Sequence, residues 1–427
     1  MLDIELFRSD LKRIIESEKK RFKDSSNAKK VVEFDEKWKD TLRTLQDLRK
    51  ERNDISKLMS DYKRSGETEK FERTKTKSKE IKDKIEQLER NESNFLEQRE
   101  KYRYLVGNII DDTVPVGENE EFNEILRTFG KIPRFDFIPL SHVDLITKIG
   151  GADTNKASQI AGSRFYYLKG DLVSLNLALI KFALDKLVSK GFIPFWTPFF
   201  IKHEIIKAAA ELADFEDQLY RIQDEDLFMI ATSEQPLAAY HYDEIIDPQS
   251  LPLKYAGISS CFRREAGSHG KDTLGIFRVH QFEKVEQFIF CKPEDSWKYH
   301  EELIKTSEEI YKDLQIPYRI VNLASGELND NASKKYDLEA WFPASETYRE
   351  LVSCTNCLDY QARKLKIRMG KVGSQEEKRI LHTLNATAIA TERTICCILE
   401  NYQNKDHTVN VPKVLQKYMN GKKLLNQ

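Results

Sequence analysis

Between about Glu36 and Arg103 the apolar positions recur at threes and fours in two narrow stripes. The first runs Trp38, Leu42, Leu45, Leu48, Ile55, Met59 and Tyr62. The second runs Phe71, Ile81, Ile85, Leu88, Phe95 and Tyr102, with Thr74, Ser78, Glu92 and Arg99 in the remaining places of its register. Stripes this narrow suit one neighbouring helix and not a broad core. The stretch is nearly free of Gly and Pro and dense in Lys, Glu, Arg and Asp, which is the composition of long helices. Its one glycine, in the polar break Ser65-Gly66-Glu67, predicts a turn. The expected element is an antiparallel helical hairpin projecting into solvent, with roughly 30 residues per helix and a length of about 45 Å.

After about Asp112 the pattern changes to short strand and helix signals punctuated by Gly and Pro. Leu172, Leu175, Leu179, Ile180, Phe182, Ala183 and Leu187 predict a buried helix that stops at Gly191 and gives way to the extended Phe192-Ile193-Pro194. Tyr255–Arg263 and Gln281–Phe290 read as strands flanking a glycine-containing loop, Gly267 to Gly275. The second strand alternates: Phe282, Lys284, Glu286 and Phe288 share one face, and Glu283, Val285, Gln287 and Ile289 share the other. Thr387 to Tyr402 predicts a helix, and a short basic tail follows.

The chain has 427 residues, more than one hydrophobic core usually supports, so two domains are expected. Lys and Arg total 69 against 70 Asp and Glu, which leaves any nucleic-acid contact to local basic surface. Such surface exists near the tip of the hairpin, where Lys57, Lys63, Arg64, Lys70, Arg73, Lys75, Lys77, Lys79, Lys82 and Lys84 outnumber the acids; a solvated coiled-coil face has the same composition. Six cysteines, few for the length, fit a reducing compartment. Only Cys354 and Cys357 have metal-like spacing, and one pair with no second pair or nearby histidine predicts structural thiols and no zinc. The first residues carry neither a secretory nor a transit pattern, and no run of about 18 apolar residues follows. A cytoplasmic protein without a membrane span is expected.

Several polar residues interrupt strand-like segments, and each has a plain structural reading beside a chemical one. Glu286 stands among aromatic residues, where a carboxylate must find a partner or a ligand. Arg263-Arg264-Glu265 ends a strand and opens a loop rich in Gly, Ser, Lys and Asp, a setting for gripping phosphates and equally a surface hairpin. Thr232-Ser233-Glu234 fits a helix cap. Glu350 and Ser353 are oxygen donors suited to magnesium at a spacing that also arises by chance. Arg393 lies on an otherwise apolar predicted helix.

Taken together and in order, these segments resemble one family. Gly191-Phe-Ile-Pro-Phe-Trp-Thr-Pro198, Thr232-Ser-Glu234, Cys261-Phe-Arg-Arg-Glu-Ala-Gly-Ser268, Arg278-Val-His-Gln-Phe-Glu-Lys-Val-Glu286, Glu350-Leu-Val-Ser353 and Leu384-Asn-Ala-Thr387 through Arg393 look like motifs of seryl-tRNA synthetases of the cytosolic, eukaryotic-like type. The Gly270–Thr273 loop and Arg164-Phe165 before Leu168-Lys-Gly170 fit too, and the hairpin is the family's arm. Ala388-Ile-Ala-Thr391 stands where class II motif 3 usually has glycines.

The resemblance implies an α+β fold: a class II synthetase antiparallel sheet flanked by helices, with an N-terminal antiparallel coiled-coil arm. It implies a tRNA-binding domain over 1–112, with the arm at about 36–103, and a catalytic domain over 113–427. The implied activity is ATP-dependent activation of L-serine and its transfer to the 3′ end of tRNA(Ser), and of tRNA(Sec) in cells that make it, by a homodimer using Mg2+. The implied catalytic residues are Arg263, Glu350 and Arg393. Serine would meet Thr232, Glu234, Arg263, Glu286, Asn385 and Thr387. ATP would meet Arg263, Arg264, Glu265, Val279, His280, Gln281, Phe282, Glu350, Leu351, Val352, Ser353 and Arg393, with Glu350 and Ser353 holding the metal. Lys75, Lys77, Lys79 and Lys82 of the arm would meet tRNA.

Overall fold

The computed structural model describes residues 1–209, 216–265, 274–371, 373 and 377–426. By backbone contacts the chain forms two units, one of Leu2–Lys19 and Lys23–Gly107, the other containing Lys20–Phe22 and the chain from Asn108 onward.

In the first unit, two short helices, α1 (Ile4–Ser9) and α2 (Leu11–Lys20), precede two long ones, α3 (Ser26–Ser65) and α4 (Thr68–Tyr104). Gly66 joins the long helices at φ 73°, a left-handed conformation that costs a residue without Cβ little, and its N–H caps Tyr62. Leu45, Ile55, Ile81 and Ile85 form the seam, with Leu48, Met59 and Leu88 half-buried beside them. The hairpin is thus the expected one, but α3 begins at Ser26, ten residues before the expected start. The apolar stripe misses this turn because its register is set by charge and rings. Asp35, 2 % exposed, accepts from Arg8 at 2.8 Å and from Arg99 at 2.9 Å, and Phe34 stacks on Tyr102 with centroids 5.6 Å apart.

The second unit is built on an eight-stranded sheet. Its strands are β1 (Glu124–Phe129), β2 (Ile193–Trp196), β3 (Leu253–Phe262), β4 (Gln281–Cys291), β5 (Tyr318–Asn322), β6 (Lys334–Phe342), β7 (Thr347–Asn356) and β8 (His382–Ala390), in the spatial order β1-β5-β6-β7-β8-β4-β3-β2. All neighbours are antiparallel except β2 and β3. Alternation divides the faces. Val285 and Ile289 of β4, Tyr336, Leu338 and Ala340 of β6, and Leu384, Ala386 and Ala388 of β8 pack into the main core with helices α5 (Asp171–Ser189), α7 (Ser296–Asp313) and α8 (Thr391–Asn401). The short α6 (Glu234–Ala238) follows the Thr232-Ser233 segment. The other face carries the polar residues of β4 and β8 and, toward the start of β3 and the end of β4, a second apolar cluster with Tyr255, Phe288 and Phe290.

One cation pins the segment between β5 and β6. Arg21, 3 % exposed, donates to the backbone oxygens of Asn108, Leu328, Asn329 and Ala332, and Asn108 Nδ2 donates to the carbonyls of Asn331 and Cys357, both at 2.8 Å. A guanidinium has five donors in a rigid fork, enough to satisfy a turn whose carbonyls have no strand partner. Arg21→Met keeps the chain length and removes every one of those donors. Each buried acceptor left unpaired costs about 1 to 3 kcal/mol, so thermal unfolding is expected to fall by about 3 kcal/mol or more at the midpoint. A melting temperature within one degree of the parent would contradict this account of the turn.

Candidate active site

The polar face of the sheet floors a cavity of about 200 Å³. β4 contributes Phe282, Lys284 and Glu286 by simple alternation, and β8 contributes Asn385 and Thr387 the same way. Glu350 and Ser353 of β7 are three residues apart, a spacing that points to opposite faces of a regular strand. Here the register slips between Leu338 and Glu339 of β6, so Glu350 pairs with Glu339, Val352 with Leu338, and Leu351 is the extra residue. This bulge turns both Glu350 and Ser353 into the cavity. A second bulge at Ala388 does the same for Thr387 and Ala390, which delivers the chain to the start of α8 and Arg393.

One end of the cavity is rich in carboxylates. Glu286, 1 % exposed, has Lys284 Nζ at 2.5 Å from Oε2. Glu234, at the start of α6, accepts from Asn385 Nδ2 at 3.0 Å and from Gln361 Nε2 at 2.9 Å, and its N–H donates to the Thr232 hydroxyl at 3.2 Å. Arg263, at the end of β3, lies with its guanidinium 5.1 Å from the Phe282 ring centroid and donates from Nε to the Ala231 carbonyl at 3.2 Å, which fixes the fork between the two ends.

The other end pairs an acid with cations. Arg393 Nη1 donates to Glu350 Oε2 at 3.2 Å and to the Glu350 carbonyl at 3.0 Å. Burial pushes the Glu350 carboxyl up, but Arg393 and Lys335 outweigh it and hold it at about 2, so it is ionised at neutral pH. The ring of Phe277 lies under two guanidiniums, Arg349 at 3.6 Å and Arg393 at 5.0 Å from its centroid. Glu265 stands 3.5 Å from Arg278 Nε, and both line the wall. Beneath them Glu392 accepts from the Glu283 N–H, Tyr166 and Thr391, and burial pushes its carboxyl well above the ordinary range.

Thirteen of the expected site residues line this one cavity: Thr232, Glu234, Arg263, Glu265, Val279, Phe282, Glu286, Glu350, Leu351, Ser353, Asn385, Thr387 and Arg393. Four do not. Val352 points into the core at 0 % exposure, because the bulge assigns its neighbours to the cavity. His280 turns its Nδ1 to the Arg263 carbonyl at 2.8 Å and its ring to Phe165, while Arg264 donates its N–H to Gln218 O; both support Arg263 from outside. Gln281 begins β4 with its side chain on the exposed surface. Gly267, Ser268 and the Gly270–Thr273 loop lie outside the described residues.

Lys284, Lys335, Arg278, Phe277, Asn329 and Asn331 line the cavity without having been singled out. Lys284 was visible, since it shares a face with Phe282 and Glu286 in the alternating strand. Asn329 and Asn331 carry no sequence signal; the Arg21-pinned turn brings them in. Cys354 and Cys357 are buried, with Cys354 Sγ facing the His300 carbonyl at 3.7 Å. Among the described residues no three or more His, Cys, Asp or Glu side chains are arranged to hold a metal ion, and no helix is long and apolar enough to cross a membrane. On the arm, Lys75, Lys77 and Lys82 are exposed and pair with Glu72, Glu51 and Glu86 at 3.4, 2.7 and 3.9 Å, and Lys79 is exposed.

Glu234 makes the cavity sensitive to pH. Burial first and the nearby Glu286 second push its carboxyl from 4.5 up to about 7, against the smaller opposing pull of Gln361, Lys284 and Arg263. A carboxyl that binds its proton more tightly when folded contributes stability fully below its unfolded value and loses that contribution as pH rises through its folded value. Ligand-free protein should therefore lose stability between pH 4.5 and about 7 relative to Glu234→Gln, in which this titration is gone. Unfolding curves with the same pH slope for parent and variant would contradict the assignment.

Two family descriptions match the chain: the seryl-tRNA synthetase N-terminal domain over residues 1–110 and the tRNA synthetase class II core domain (G, H, P, S and T) over 216–402. The serine–tRNA ligase of Methanosphaera stadtmanae is 58% identical over 425 residues, covering 100% of this chain and 99% of that protein. The fold superposes on the crystal structure of the Pyrococcus horikoshii seryl-tRNA synthetase complexed with ATP at TM-score 0.95 and 42% identity, over 100% of this chain and 99% of that one. It also superposes on the cytoplasmic serine–tRNA ligase of Naegleria fowleri in complex with AMP at TM-score 0.90 and 44% identity, with the same coverage of 100% and 99%. A mixed sheet-and-helix core with a long N-terminal helical hairpin, matched end to end by such relatives, places the chain in the seryl-tRNA synthetase family, the ATP-dependent ligases that join serine to tRNA.

Proposed function

We propose that the cavity activates L-serine with ATP, the Glu286 end holding the amino acid and the Glu350 end the phosphates, and that the seryl group of the resulting adenylate is passed to tRNA(Ser). The observation that carries this reading is the division of one cavity into a carboxylate-rich end and an end where cations surround a single ionised acid, with Arg263 between them. An ammonium and a hydroxyl suit the first; a polyphosphate suits the second.

At the serine end, ionised Glu234 and the Thr232 hydroxyl accept from the substrate ammonium, while Glu286, Asn385 and Thr387 meet its hydroxyl. Arg263 grips the serine carboxylate and the α-phosphate together. The carboxylate oxygen attacks the α-phosphorus, a bond to phosphorus forms, and the bond to the β-phosphate oxygen breaks with its electron pair leaving on pyrophosphate. Charge accumulates on the phosphoryl oxygens, where the preorganised Arg263 is worth most. Phe282 and Glu265 hold the base end, and Arg393 holds the outer phosphates. No protein nucleophile takes part. The ribose hydroxyl of the tRNA terminus then attacks the seryl carbonyl and AMP leaves.

The residues present fit magnesium. Glu350 is ionised, 44 % of its side chain opens into the cavity, and the bulge sets the Ser353 hydroxyl on the same face. Two hard oxygen donors, with substrate phosphates and waters completing the shell, is the way this ion is usually bound. When held by Glu350 and Ser353 it would supply positive charge that neutralises the phosphates.

The arm's Lys75, Lys77, Lys79 and Lys82 meet tRNA(Ser), and tRNA(Sec) where it exists. The protein works in the cytoplasm as a homodimer. Support for the dimer lies in apolar residues left open on α5 and β2, among them Leu177 at 61% and Trp196 at 75% exposure. Residues 1–112 form the RNA-binding part and 113–427 the catalytic part.

Two measurements on the full chain test this reading together. Pyrophosphate exchange with ATP, run with each of the twenty amino acids, is expected to respond to serine far above the others. Aminoacylation of tRNA(Ser) should require the arm's charge, and tRNA affinity should fall with salt at a slope of about −0.7 to −0.9 per phosphate contact. Alanine at Lys75, Lys77, Lys79 and Lys82 should flatten that slope and leave exchange unchanged. Exchange driven by another amino acid would overturn the substrate; an unaltered slope would return these lysines to a solvated face.

A further inference from the structure

An amide behind the serine end touches neither substrate in the reading above. Gln361, 1 % exposed, lies on the short helix Tyr360–Lys364, and its neighbour Ala362 belongs to the second apolar cluster. Its Oε1 accepts from the Thr383 hydroxyl at 2.8 Å. Its Nε2 donates to the Ala209 carbonyl at 3.3 Å and to Glu234 Oε1 at 2.9 Å. The amide fits only one way round. A carbonyl oxygen accepts and never donates, so Ala209 requires the nitrogen on its side, which is also the side of Glu234.

Two N–H groups thus converge on a single oxygen of Glu234, because Asn385 Nδ2 reaches the same Oε1 at 3.0 Å. Oε2 accepts no hydrogen bond among the described residues, and Glu234 lines the cavity. With Oε1 engaged twice, a proton taken up by this carboxyl belongs on Oε2. There it would turn an acceptor for an ammonium into a donor that opposes one. The surroundings pull both ways. Burial and then Glu286 of β4 push the carboxyl up; against them Gln361 pulls it down more strongly than Lys284 of β4 or Arg263 at the end of β3.

We propose that Gln361 is a positioning residue for the amino-acid substrate: with Asn385 it occupies one oxygen of Glu234, so that the other is left, without a proton, for the serine ammonium. This rests on the reading that Glu234 receives that ammonium, and it says what keeps Glu234 fit to do so. Gln361 acts on the substrate through Glu234 alone.

Serine-dependent pyrophosphate exchange by the full chain, followed from mildly acid to mildly alkaline pH, tests the proposal in Gln361→Met, which keeps the side chain's length and removes both donors. Losing a donor to a carboxylate raises the pH at which it ionises, so the acid limb of kcat/KM for serine should move up by about one pH unit. Near neutral pH the KM for serine should rise about tenfold, since one such unit is a factor of ten, and the gap should close toward alkaline pH. The KM for ATP should stay within about twofold of the parent's. An acid limb at the parent's pH, a KM for serine raised equally at every pH, or an equal rise in the KM for ATP would overturn the proposal and leave Gln361 a packing residue. If Gln361→Met does not fold, Gln361→Leu gives the same comparison. Unfolding of the ligand-free protein separates this proposal from the proposed function. The window in which stability is lost with rising pH ends at about 7 in the parent, and in the variant that end should also move up by about one pH unit. A parent without serine-dependent exchange would remove the proposed function, while the unfolding window would still decide whether Gln361 governs Glu234.

Discussion

Charge buried on one face of a sheet is the constraint on which the rest of this molecule turns. A carboxylate taken out of water must be paired, hydrogen-bonded or protonated, since an isolated one costs several kcal/mol or more. All three solutions occur on this floor. Glu286 is paired with Lys284 and Glu350 with Arg393; Glu234 is hydrogen-bonded by Asn385 and Gln361 and pushed up to about 7; Glu392, accepting from Tyr166 and the Glu283 N–H, is pushed by burial well above the ordinary carboxyl range, toward its protonated form. An apolar floor would be the easier one to fold. The arrangement makes sense as a site whose ligand brings an ammonium, a hydroxyl and a chain of phosphates to groups already fixed in place.

The backbone irregularities serve the same end. Bulges at Leu351 and Ala388 break the two-residue period of β7 and β8, and each places residues three apart on the cavity side. Without the first, Glu350 and Ser353 could not address one ion. Without the second, the chain would enter α8 with Arg393 aimed elsewhere. The turn pinned by Arg21 is a further departure from regular structure, and its buried cation supplies the bonds that a strand neighbour would otherwise give.

Much of this was legible in the sequence. The hairpin followed from two narrow stripes and one glycine, and the faces of β4 followed from alternation, because both depend on local periodicity. The family resemblance brought in residues that periodicity does not connect, such as Glu350 and Arg393. What escaped has a physical pattern. The first ten residues of α3 are held by the Asp35 charge cluster and not by an apolar stripe. Val352 was expected at the ATP site and lies in the core, since a bulge inverts facing and leaves no mark in composition. Asn329 is held at the cavity by a hydrogen bond from Arg21, 308 positions away in sequence, and Asn331 by one from Asn108, 223 positions away.

The proposed choice of serine rests on the buried Glu286, and the most direct test is pyrophosphate exchange by Glu286→Ala compared with the parent, using serine and alanine as competing amino acids. A site built to bond a hydroxyl rejects the analogue lacking it by about 10⁴ to 10⁵, because the buried acceptor is otherwise left unpaired. The parent is expected to show a preference of that order, and Glu286→Ala, folded and still able to bind ATP, should lose most of it. A variant that still prefers serine over alanine as strongly as the parent would contradict the assignment of specificity to this carboxylate.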